Sequence, residues 1–303
     1  VHLTGYDYQG NPVGPAAELT IPPMGNTARL IDSIFPKPGY DPAAIRSVTA
    51  VSNQPLAGLE LFGHQQSAAV EGVAMVQQHR HAEGTHSLYF LNVPSRDRFY
   101  TDLSFLHTGK EKKDVLAVLV DAGSGNPAST KPWSLVSPYN DYADEIFTLC
   151  GAENGFPFEV YGHLSSEMPL SGYEMFFPLD TSDDADFEGS LGVGAGSGQL
   201  FFPVVVHNGW SAALRLIALG SKANVPFTVQ AYSAGGILVD QLTGTLKVGP
   251  HNARKMETLD LPAKIPGWEQ VTWLVVTAEG LAGGDLSMMS PDLKEFEGYP
   301  GLP

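Results

Sequence analysis

The octet Pro55-Leu56-Ala57-Gly58-Leu59-Glu60-Leu61-Phe62 returns as Pro169-Leu170-Ser171-Gly172-Tyr173-Glu174-Met175-Phe176. It returns again, more loosely, as Gly280-Leu281-Ala282-Gly283-Gly284-Asp285-Leu286-Ser287. The glycines Gly58, Gly172 and Gly283 stand 114 and 111 residues apart. Self-similarity at a fixed period marks a chain built from stacked copies of one unit. Two further blocks keep the same order. Residues 1–7 align with 227–233 at an offset of 226, which is two repeat lengths. Leu88-Tyr89-Phe90 matches Leu200-Phe201-Phe202, and 99–109 matches 210–220. The repeat is therefore roughly 111 residues long and present almost three times, over 1–82, 83–194 and 195–303, the last with a C-terminal tail. The first copy is incomplete, because nothing in 1–82 corresponds to 200–220.

Within each copy, apolar and polar residues alternate over short runs bounded by Gly, Pro, Asn or Asp. Residues 211–218 and 227–232 are the clearest. Alternation of period two puts every second side chain on one face, the pattern of a half-buried antiparallel strand. With 33 Gly and 23 Pro in 303 residues, turns are plentiful. The expected fold class is all-β: tandem antiparallel β-sandwich domains of six or seven strands each. Residues 27–35 and 142–147 space their apolar residues as a helix does. They fall at equivalent places, so each reads as one short helix across the end of its sandwich.

The chain carries 33 acidic and 17 basic residues, a net charge of −16. Such a charge repels a phosphate backbone and an anionic lipid surface, which argues against nucleic acid and membrane as partners. No apolar run is long enough to span a bilayer. The single cysteine, Cys150, rules out an intrachain disulfide and reads as a small buried apolar residue before a turn. The chain begins at Val1 without a visible signal peptide, which reads as a processed or partial chain.

The candidate sites are few. Asp180, Asp183, Asp184, Asp186 and Glu188 put five carboxylates within nine residues between two repeats. That is the hard oxygen donor set of calcium, without the spacing of an EF-hand loop; the alternative is a solvated acidic linker. His79-Arg80-His81, with Glu83 and His86, would place two imidazoles on one face of a strand, as a transition metal needs, but lies in a polar linker. The segment Gly194-Ala195-Gly196-Ser197-Gly198 reads as a flexible linker and has no Lys-Ser/Thr to make a phosphate loop. No nucleophile elbow is present. Among the tryptophans, Trp210 and Trp273 read as core, Trp133 is unassigned, and Trp268, after Pro266-Gly267, reads as exposed and fit to stack on a sugar.

The blocks around Gly209-Trp210 and Leu56–Gly63 resemble the immunoglobulin-like and fibronectin type III-like repeat modules found in tandem in large secreted bacterial surface proteins. The resemblance implies spacer or surface modules, exported from the cell and without catalytic residues. The expected function is a non-catalytic structural or adhesive protein, a self-assembling filament or surface-layer subunit whose partners are further copies or neighbouring surface proteins. Calcium is the one expected cofactor. The alternative is an array of carbohydrate-binding modules. Three things could complete the first copy: a strand from a neighbour, the C-terminal tail 291–303 folding back, or residues upstream of Val1.

Overall fold

The computed structural model describes residues 1–7, 9–21, 30–35, 41, 44–53, 59–66, 69–77, 85–94, 96, 99–107, 113–135, 142–152, 154–179, 188–191, 193–194, 196–204, 209–291 and 296–301. Nearly all the regular structure is antiparallel strand, as the alternation requires. The N-terminal part holds β1 (His2–Tyr6), β2 (Ala17–Glu18), a helical turn α1 (Ile31–Ile34), β3 (Ser47–Val51), β4 (Leu59–Gln66) and β5 (Ala69–Gln77). The middle part holds β6 (Thr85–Val93), β7 (Phe99–His107), β8 (Lys113–Asp121), β9 (Pro127–Leu135), β10 (Tyr142–Glu145), α2 (Ile146–Leu149), β11 (Val160–Pro178) and β12 (Glu188–Leu191). The C-terminal part holds β13 (Ser197–Pro203), β14 (Ser211–Ala218), β15 (Asn224–Tyr232), β16 (Leu238–Lys247), β17 (Glu257–Asp260), α3 (Leu261–Lys264), β18 (Trp273–Met289) and β19 (Phe296–Pro300).

The middle and C-terminal parts each form a seven-stranded system with one topology. Their orders are β10-β7-β11-β8-β9 and β17-β14-β18-β15-β16, with β6 and β12 also on β11, and β13 and β19 also on β18. The long strand lies in two layers. The first half of β11 runs between β6 and β8, and its second half between β7 and β12. Between the layers lies one apolar core: Leu88 and Phe90 from β6, Leu103 and Phe105 from β7, Ala117 and Leu119 from β8, Leu164 and Leu170 from β11. Two layers closed over one such core make a sandwich.

Pairing registers align these parts more sharply than the blocks do. Gly172 opposes Phe105 and Gly284 opposes Leu216. Phe105 and Leu216 are matching core residues of β7 and β14, so the third octet is displaced by one residue and Gly284, not Gly283, is the counterpart of Gly172. Both glycines sit where a Cβ has no room. At Gly172 it would meet Ser104 O at 2.8 Å, and at Gly284 Leu216 Cδ2 at 2.8 Å.

The N-terminal part repeats the same pairings. His2↔Val51 to Tyr6↔Ser47 reproduce Leu116↔Ser165 to Val120↔Tyr161, all at an offset of 114. Leu59↔Gln77 to Phe62↔Ala74 reproduce Tyr173↔Leu191 to Phe176↔Glu188, again at 114. The described residues of 1–82 thus contain counterparts of β8, both halves of β11, β12 and the helical turn, and show none of β6 and β7.

Two expectations need correction. Tyr142–Glu145 is a strand, and the helical turn begins only at Ile146. Ser197 and Gly198 open β13 instead of forming a linker. The C-terminal tail, one of the three candidates to complete the first copy, pairs through β19 with β18.

Candidate functional site

Two features set the described residues apart from a plain row of sandwiches: strands of the first part with a partner on one side only, and a buried polar junction between the middle and C-terminal parts.

In the middle part β11 has a neighbour on each side. Among the described residues β3 pairs only with β1, and β4 only with β5. Among the described residues nothing pairs with the edges that β6 and β7 would cover, and an uncovered edge is a row of unpaired N–H and C=O groups. The helical turn reports the same gap. In the complete parts α2 packs on β7 and α3 on β14. Ile146 is accordingly 0% exposed, whereas its counterpart Ile31 is 39% exposed, and α1 buries none of its residues. Leu30 and Val51 are also exposed.

At the junction the outer face of β6, β8 and β11 meets the edge of the C-terminal part. Tyr89, Leu91, Val118, Val120, Ala122 and Tyr161 form one buried cluster with Ile217 and Met256. Each of its large aliphatic side chains so buried contributes on the order of 1.5–3 kcal/mol. Polar contacts fix the angle. Tyr161 Oη donates to Arg254 O at 2.8 Å, the Met256 amide donates to Ala122 O at 3.0 Å, and Arg215 Nε meets Glu159 Oε1 at 3.2 Å. Burial pushes the Tyr161 phenol well up. His163 stacks on Tyr89 at 4.4 Å, and burial, then the Arg254 charge, lower its pKa to about 4. A bulge in β6, where Phe90 and Val93 oppose Gly162 and Val160, leaves the Asn92 amide outside the ladder, and the Glu174 carboxylate accepts from it. Glu174 is fully buried; burial first and the nearby Asp285 second raise its pKa well above the usual range. These groups brace two sheets; nothing in them forms a nucleophile with its base.

The sequence-expected site residues fare variously. Asp180, Asp183, Asp184 and Asp186 lie outside the described residues, and Glu188 is placed only by its backbone, on β12. His79, Arg80, His81 and Glu83 also lie outside them, while the exposed His86 faces Ser166 O at 3.3 Å. No cluster of metal-ligating side chains occurs among the described residues. Cys150 is buried, with its thiol pushed up to about 12 by desolvation, and is therefore inert. Trp268 is not exposed. Gly267, at φ +82°, turns the chain so that the indole enters the core, where it is 5% exposed. Trp273 is the reverse case. Its neighbours Leu274 and Val276 take the core face, so period two sends Trp273 outward, half-buried and stacked on Tyr232 at 4.4 Å. A shallow cleft of about 280 Å³ is lined by Gly123, Thr245, Lys247, Lys255, Met256 and Glu257. It is polar and smaller than ordinary ligand pockets. Among the described residues, no helix is long and apolar enough to cross a membrane.

No protein-family model matches the chain, and no curated protein matches it in sequence. Among solved structures it is similar to a β-glucuronidase of Bacteroides uniformis, at 10% identity and a TM-score of 0.16, over 71% of this chain and 25% of that one. It is also similar to the VP2 subviral particle of infectious bursal disease virus, at 10% identity and a TM-score of 0.19, over 94% of this chain and 66% of that one. The chain thus spans about a quarter of the glucuronidase's length. Likenesses of this size carry no function over to this chain.

Proposed function

We propose that this chain is a non-catalytic structural or adhesive protein of the cell exterior that self-associates through strand edges of its modules. The observation that carries the reading is that, among the described residues, β3 pairs only with β1 and β4 only with β5, whereas the long strands of the other two parts have a neighbour on each side. Edge pairing supplies main-chain hydrogen bonds and covers the apolar residues beside them, the mode known as β-augmentation. Export fits the resemblance to secreted repeat modules. Light scattering of the purified chain tests the reading. The native protein self-associates, and Val51→Lys, which places a charge at the exposed end of β3, weakens it; a native protein that stays monomeric would sink the proposal. A carbohydrate-binding array is the second reading, favoured by the half-buried stacked pair Tyr232–Trp273. Binding to a panel of soluble polysaccharides reads it directly.

A further inference from the structure

One edge of the sheet recurs in all three parts. His2↔Glu18 and Leu3↔Ala17 of β1 and β2 reproduce Leu116↔Pro132 and Ala117↔Lys131 of β8 and β9 at an offset of 114. β16 holds that place in the C-terminal part. Among the described residues β2, β9 and β16 each pair with one strand only. The edge is open by its place in the plan: a whole further part follows β9 and docks through Ala122 of the β8–β9 turn, and among the described residues β9 still has no second partner. The three edges differ in how they are guarded. β2 is two residues long and follows Pro12 and Pro15. β9 carries Pro127, Lys131 and Pro132. Proline and lysine blunt an edge against further pairing. β16 runs ten residues without a proline, and its only charges are Asp240 near its start and Lys247 at its end.

The ladder shows which groups β16 offers. The Val248 amide donates to Ala223 O, on the side of β15, and Lys247 O accepts from the Lys255 amide on the other side. Backbone groups of an antiparallel strand alternate in this way, and the register to β15 is unbroken from Lys247 to Asp240. Gln241, Thr243 and Thr245 therefore turn their N–H and C=O away from β15. Asp240 Oδ1 takes the Gln241 amide at 2.8 Å, whereas Thr243 and Thr245 point theirs at an edge that no described strand occupies. We infer that this edge pairs antiparallel with β16 of a second copy. Antiparallel pairing brings the Asp240 end of each strand to the Lys247 end of the other, and parallel pairing would set like charge on like. Centred on Thr243, the pair puts Gln241 opposite Thr245 on the exposed face and Leu242 opposite Gly244 on the core face, so like face meets like. Such a contact is isologous and closes on two chains. The inference rests on the reading of the chain as one that self-associates through strand edges, and names one edge and its partner.

Sedimentation velocity on the native chain, Val51→Lys, Thr243→Pro and the double variant tests it, with thermal melts to show that each is folded. Thr243→Pro removes an N–H that β15 does not use and puts a ring on the edge. The expected result is that Val51→Lys stops at the two-chain particle and that the double variant associates roughly tenfold more weakly or less. Thr243→Cys gives a second readout that does not need proline to be tolerated. Opposed Cα atoms in an antiparallel pair lie about 5.5 Å apart, within reach of a disulfide, and the native Cys150 is buried. Mild oxidation should link two Thr243→Cys chains and no native ones. If the native chain self-associates but Val51→Lys is monomeric, or Thr243→Cys chains stay unlinked, this inference fails while the edge reading stands. If the native chain is monomeric, both fail.

Discussion

His163 stacks on Tyr89 with its Nε2 buried and without a hydrogen-bond partner. Its folded pKa of about 4 lies below the ordinary 6.5, so between those values the unfolded chain binds the extra proton. Its contribution is therefore full above pH 6.5 and is lost as pH falls towards 4, by roughly 3 kcal/mol at most. Chemical denaturation at pH 7 and pH 4.5 should show a steeper loss for the native chain than for His163→Phe, which also removes an unsatisfied polar atom. Glu174 acts with the opposite sign. Its folded pKa is raised, so its contribution is full below about pH 4.5 and is lost as pH rises through the folded value. Glu174→Gln keeps the shape and cannot ionise; it should stabilise the protein at pH 8 and leave it unchanged at pH 4. Gly172→Ala forces a Cβ against the Ser104 carbonyl and the Phe105 backbone, and should cost about 1–3 kcal/mol in the same assay. At this scale the sequence was legible where period two could be read. The two tryptophans show the limit. Trp273 stands one position out of phase with Leu274 and Val276, so its outward direction was there to be read, but the apolar run around it masked the parity. Trp268 owes its burial to a positive-φ glycine whose turn direction has no periodic signal.

The long strand is the element on which the fold depends. One strand passes from one layer to the other, so β6 and β8 share its first half, and β7 and β12 its second. The octet around Gly172 belongs to that second half, which explains why it recurs: the glycine admits the neighbouring strand closely, and alternate positions fill the core. The octet thus revealed the repeat but not that one strand spans two layers, because the bulge between Ser165 and Leu170 has no signature in composition. The helical turn was legible as an apolar cluster and misplaced by a few residues, since four strand residues precede it in the middle part. Its three copies make a test of the incomplete part. Ile146→Ala should cost about 2–5 kcal/mol, the range of a filled core position, because Ile146 packs beneath β7. Ile31→Ala, in the uncovered turn, should cost less than about 0.5 kcal/mol in the isolated chain. Equal losses would mean that α1 is covered after all.

At the scale of the molecule, the topological identity of the middle and C-terminal parts and the matching registers of the first describe parts built on one plan, the first showing among its described residues no counterpart of β6 and β7. A net charge of −16 makes copies repel one another, so the proposed association has to come from main-chain pairing and apolar contact. The acidic residues Asp180, Asp183, Asp184, Asp186 and Glu188 stand just before the C-terminal part, and the expectation there is that calcium raises the melting temperature by several degrees and a chelator reverses it; a melt indifferent to both would remove calcium from the account. What the sequence left illegible at this scale is the way the parts meet, because Tyr89, Tyr161 and His163 are contacts between repeats and their partners lie about a hundred residues away. Electron microscopy of the purified protein tests the central claim most directly. The account predicts ordered filaments or sheets, lost in Val51→Lys; isolated particles of single-chain size at every concentration would contradict it.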